Sequence, residues 1–143
     1  MASAEDEVRD LFGRQAEAMR AKDIDRLMAM YAPDVVYFDV VPPLRFAGPA
    51  ALRDRFTRWF DSWESALAIE VRDLRVVVRG DIAFAHWFSR ASGTLRGGRQ
   101  AGSWLRVTSC CERSGGGWLI GHEHVSIPVD LASGSAATAL VPE

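Results

Sequence analysis

The sequence predicts an α+β domain in which helices cover one face of a curved, mostly antiparallel sheet. Three observations lead there. In the first part of the chain, apolar residues recur at three- and four-residue steps, the period of a helix face. From Ala68 onward the pattern becomes long β-branched and aromatic runs. Gly80-Asp81, Gly97-Gly98 and Gly115-Gly116-Gly117 divide those runs, and such turns join neighbouring strands as hairpins.

The elements follow in order. Val8, Leu11, Phe12, Gln15, Ala16 and Met19 mark one face of a helix over 5–21, with Ser3 as its cap and Asp6 in its first turn. Asp23 caps a second, short helix carrying Ile24, Leu27, Met28 and Tyr31, which Pro33 cannot let continue. The run Val35-Val36-Tyr37-Phe38 is a strand ending in Asp39, followed by the rigid Pro42-Pro43 link. Gly48-Pro49 opens a third helix that supplies Leu52, Phe56, Trp59, Phe60 and Trp63. Four strands, 68–79, 82–94, 100–112 and 118–127, then form a meander that Pro128 stops.

Composition bounds the function. A chain of 143 residues fits one domain with a real core, and 48% apolar with 25% charged residues is ordinary for a globular protein. A formal charge of −2 without a basic stripe argues against nucleic acid as a partner. No apolar run is long enough to span a bilayer, and the acidic N-terminus lacks the apolar core of a signal peptide. Cys110 and Cys111 are adjacent in a strand and point to opposite faces, so reduced thiols and a cytoplasmic setting are expected.

The order of elements, with Arg14, Glu17, Asp23-Ile24, Met30-Tyr31-Ala32, Asp34 and Asp39, resembles the ketosteroid isomerase / nuclear transport factor 2-like superfamily. Trp104-x-Arg106-x-Thr108, Gly117-Trp118 and His122-Glu123-His124-Val125-Ser126 resemble its SnoaL-like branch. The likeness runs over residues 5–130. It implies a cone-shaped, cystatin-like domain over 1–130, its sheet wrapped around the N-terminal helices; the small-residue-rich 131–143 is expected to be a flexible tail on its composition. It also implies a hydrophobic pocket and acid/base chemistry of isomerase, cyclase or dehydratase type on a carbonyl compound, without metal or cofactor. The superfold hosts non-catalytic binding and oligomerisation modules too, so that reading stays open.

On the resemblance, Asp39 falls on the isomerase general base, a carboxylate whose basicity an apolar cavity raises. Gln15 takes the place of the tyrosine donor, and Arg106 falls near the second acid. Strand alternation puts Trp104, Arg106 and Thr108 on one face, and the resemblance turns Glu123 and its face toward the pocket, where Arg106 and Glu123 pair across the ladder. Tyr37 shares the face of Asp39. Met19, Phe56, Trp59 and Trp63 form the apolar wall, or are plain core. His86 is either a second acid/base group or a core histidine between Phe84 and Phe88. His122 and His124 lie on one face at a spacing compatible with a metal, but the third ligand would have to be His86 from another strand, on a face the sequence does not fix, so no metal is expected. The expected partners are a small hydrophobic molecule and a second copy of the chain, docked through the sheet face away from the helices.

Overall fold

The computed structural model describes residues 2–143. Among them are three helices, α1 (Ala4–Arg20), α2 (Ile24–Met28) and α3 (Pro49–Asp61). The main strands are β1 (Tyr31–Phe38), β2 (Phe46–Ala47), β3 (Ala68–Arg79), β4 (Ile82–Thr94), β5 (Gln100–Ser114) and β6 (Gly117–Ser126). A two-residue hairpin, β7 (Val129–Asp130) with β8 (Ser135–Ala136), follows. No helix among these is long and apolar enough to cross a membrane.

Local chemistry fixes the helix ends. Ser3 and Asp6 cap α1 reciprocally, each side chain accepting from the other's backbone N–H. Asp23 caps α2 by accepting from the Arg26 N–H. Gly48, at φ 86°, makes the turn into α3 and leaves Pro49 at its first helical position. The apolar stripe of α1 buries Val8, Leu11, Phe12, Ala16 and Ala18 against the sheet. Full burial of a side chain such as Leu11 stabilises by about 1.5–3 kcal/mol.

The fold is α+β with a mixed six-stranded sheet in the order β2-β1-β6-β5-β4-β3. The meander β3–β6 is antiparallel, whereas β1 lies parallel to β6, pairing Tyr37 with Glu123 and Phe38 with His124. This corrects the cone-shaped, cystatin-like wrap expected above. The sheet neither curls up nor closes: β2 and β3 are separate edges. β1 joins the meander at its β6 edge and leaves the β3 edge free. β3 is itself irregular at Asp73, whose φ of 58° accompanies a register shift between Arg72 and Arg75.

Candidate functional site

A cavity of about 840 Å³ lies between the helices and the sheet. That is within the usual range for small-molecule sites. Of the residues singled out in the sequence, Asp39, Tyr37, Phe56 and Trp59 line it, from β1 and α3. Gln15, Met19, Trp63 and Glu123 line it as well. The aromatic wall is continuous: Tyr37 meets Phe56 edge-on at 5.5 Å between centroids, and Trp59 meets Trp63 edge-on at 6.5 Å.

Trp104, Arg106 and His86 are on the opposite face of the sheet. Register gives the reason. Glu123 pairs with Ser109, so Ser109 and Val107 share its inward face, while Arg106 pairs with Ser126 and donates to its hydroxyl at 3.1 Å. The expected Arg106–Glu123 pair therefore does not form; one step of parity exchanges every side chain between faces. Trp104, half-buried, packs under the Arg72 guanidinium at 5.8 Å. On β4 the inward residues are Ala83, Ala85 and Trp87, and His86 is exposed between Phe84 and Phe88 instead of sitting in the core. His122 Nδ1–H donates to the Val36 carbonyl, 2.7 Å away, and the ring meets Phe38 edge-on. No three potential metal ligands cluster among the described residues.

The polar floor of the cavity is a buried network. The Gln15 amide donates to the Tyr31 hydroxyl at 3.0 Å and to both Glu123 oxygens at 3.1 and 3.2 Å. The Tyr31 hydroxyl donates to Glu123 Oε1 at 2.8 Å. Glu123 is 2% exposed, and burial pushes its carboxyl above the ordinary carboxylate range although these donors pull it down. Burial and the neighbouring Glu123 raise both Tyr31 and Tyr37 well above the ordinary tyrosine value, so both stay protonated. Tyr37 is 5% exposed and its hydroxyl makes no hydrogen bond among the described residues. Cys111 is buried and pushed up to about 12 by desolvation, which removes it as a nucleophile.

Asp39 is not alone. Its Oδ2 accepts from Arg55 Nε at 2.8 Å and its Oδ1 from the Val40 N–H at 2.7 Å. Sequence reasoning missed Arg55, though a signal existed. Leu52, Arg55, Phe56 and Trp59 are spaced three, four and seven apart, so Arg55 shares the inward stripe of α3. Tyr31, which the sequence pattern puts at the end of α2, instead opens β1 and so enters the site.

The family model for the SnoaL-like domain matches residues 8–130. No curated protein sequence matches the chain. Among solved structures, an NTF2-like protein of unknown function from Pseudomonas putida KT2440 is 33% identical, with 97% of this chain and 96% of that one covered and a TM-score of 0.89. A ketosteroid isomerase-like protein from Erwinia carotovora atroseptica SCRI1043 shares the fold at 18% identity, covering 88% of this chain and 97% of that one, TM-score 0.75. So does an NTF2-like superfamily protein from Salmonella enterica, at 16% identity with 92% and 96% covered and a TM-score of 0.78. With its helices, mixed sheet and the cavity between them, the chain belongs to the SnoaL-like family of the NTF2-like superfamily.

Proposed function

We propose that the protein is a small-molecule enzyme that moves a proton on a hydrophobic carbonyl compound, in the manner of an isomerase, cyclase or dehydratase. The carrying observation is the pair of carboxylates in contrasting settings on one apolar cavity. Asp39 is held by a cation at one side, and Glu123 is buried among uncharged groups. Carboxylates set apart by environment divide the roles of base and acid. Asp39 removes a proton from the carbon next to the carbonyl, and the electron pair moves through to the carbonyl oxygen. The unpartnered Tyr37 hydroxyl donates to that oxygen as charge develops. Asp39 then returns the proton it took at the new carbon, and Glu123, opposite Tyr37 in the neighbouring strand with its carboxyl raised by burial, is the second proton-exchanging group.

A second reading, a non-catalytic binding module of the same fold, is favoured by the Arg55–Asp39 ion pair, which engages the carboxylate in a structural contact. In either case the partner is a small hydrophobic molecule. We also read the chain as a homodimer through the outer sheet face, which presents Ile82 and Phe84 at 54% and 44% exposure beside Phe88 and Trp104.

Proton exchange separates the two readings. The bicyclic ketone 2-tetralone, incubated in D₂O with the protein, gains deuterium next to its carbonyl faster than in buffer if the enzyme reading holds. Asp39→Asn and Glu123→Gln each slow that exchange. Saturable binding of the ketone without any acceleration leaves the binding module as the function.

A further inference from the structure

We infer that the molecules this cavity accepts carry a carboxylate, gripped by the two terminal amino groups of Arg55. The inference rests on the ligand-binding reading above and names the chemistry of the ligand. Arg55 lines the cavity with its side chain 19% exposed, and only its Nε is engaged, on Asp39 Oδ2. Nη1 and Nη2 donate no hydrogen bond among the described residues. A guanidinium held by its Nε edge presents its terminal amino groups as a planar fork, which fits the two oxygens of a carboxylate. A single ketone oxygen fills half of that fork. Asp39 fixes the plane of the guanidinium and leaves the fork free.

The charges around the cavity fit an anion. Arg20 and Arg99 also line it. The Arg20 guanidinium has the neutral Ile69 carbonyl as its acceptor at 2.7 Å and forms no ion pair among the described residues. Glu17, the other acid on the rim, is paired with Arg26 at 3.0 Å. Asp39 and Glu123 are the opposing groups: the first is paired with Arg55, and burial raises the carboxyl of the second. Tyr37, on the strand that leads to Asp39, remains for a carbonyl oxygen of the same ligand. The ligand class is thus a hydrophobic acid, with an oxo acid as the form the proposed chemistry would use.

The test compares two ligands of nearly equal shape, 2-naphthoate and 2-acetonaphthone, by isothermal titration calorimetry on the full chain. The wild type is expected to bind naphthoate about tenfold or more tighter than the ketone, the usual scale for a charge-assisted bidentate pair. Arg55→Lys keeps the charge but loses the fork, and should surrender most of that preference. Arg55→Gln combined with Asp39→Asn removes both charges without stranding either, and should abolish the preference. Thermal unfolding of each variant verifies folding, and the wild-type ratio stands without any variant. Equal affinities in the wild type, or a preference that survives the double substitution, overturns the carboxylate assignment and leaves the pocket reading intact. Binding of neither ligand overturns both.

Discussion

Replacing Glu123 by glutamine should flatten the dependence of stability on pH. In the folded chain burial raises the Glu123 carboxyl, so between the ordinary carboxylate value and the raised one the native state holds a proton that the unfolded state has lost. The contribution of Glu123 to stability is therefore complete in acid and is lost as pH rises through that window. The slope is one proton, about 1.4 kcal/mol per pH unit. For a chain of 143 residues the entropy of unfolding is about 0.3 kcal/mol/K, so the slope corresponds to roughly 4–5 °C of Tm per pH unit. Tyr31 and Tyr37, which face the carboxyl, are raised and do not titrate there.

The variant has its own cost in acid. An amide at this position accepts the Tyr31 hydroxyl, but its N–H₂ opposes the Gln15 amide that donates to Glu123 now. Turning the Gln15 amide relieves that clash at the loss of its bond to Tyr31, about 1 kcal/mol. Urea unfolding, followed by tryptophan fluorescence at half-unit steps from pH 4.5 to 8, gives wild type minus variant, in which the surface carboxylates cancel. A wild type ahead by about 1 kcal/mol in acid should lose that lead and fall behind as pH rises. Parallel curves across the range would refute the assignment of a proton to buried Glu123.

Asp39→Asn should slow ketone proton exchange by ~10²–10⁴, the usual scale for loss of a general base. The same variant weakens the partner of a mostly buried guanidinium and should lower stability by roughly 1–3 kcal/mol in urea unfolding, short of the ~3–5 kcal/mol of a fully broken buried pair. Leu52→Ala, at a fully buried position on α3, should cost about 2–5 kcal/mol by the same assay. Gly93→Ala should destabilise by about 1–3 kcal/mol, because its Cβ would lie 2.9 Å from the Ala66 carbonyl and 3.3 Å from the Trp63 ring; weaker naphthoate binding in calorimetry would mark the displaced ring. Sedimentation equilibrium at micromolar concentration should give a dimer, and Phe84→Glu should give a folded monomer.

What the sequence made legible is what period alone determines. Helix faces follow from the 3.6-residue repeat, so Gln15 and Met19 on α1, and Phe56 and Trp59 on α3, could be aimed at the cavity before any partner was known. Tyr37 and Asp39 follow from alternation on one strand whose neighbours are β-branched. The meander was legible because glycine turns force consecutive strands into hairpins. Pairing between distant segments is a different kind of fact. Nothing in the alternation of β1 states that its neighbour is β6, or that the pairing is parallel, and the open outline of the sheet depends on that choice.

The strand parity of β4 and β5 was hidden for a reason that lies in packing. On β4 the larger apolar set, Phe84 with Phe88, faces outward, and the inward set is Ala83, Ala85 and Trp87. Inward alanines give α1 room to approach, and Phe12 closes on Trp87 at 4.6 Å between centroids. Outward aromatics look like core to any reading by hydrophobicity, and so His86 between them looked enclosed. β5 repeats the pattern, with Trp104 outside and Leu105, Val107 and Ser109 inside. The polar floor decides the parity where hydrophobicity cannot. A carboxylate as deep as Glu123 needs donors and a small cross-strand neighbour, and Ser109, fully buried and directly opposite it, is the one residue of Thr108-Ser109-Cys110 whose register supplies that neighbour.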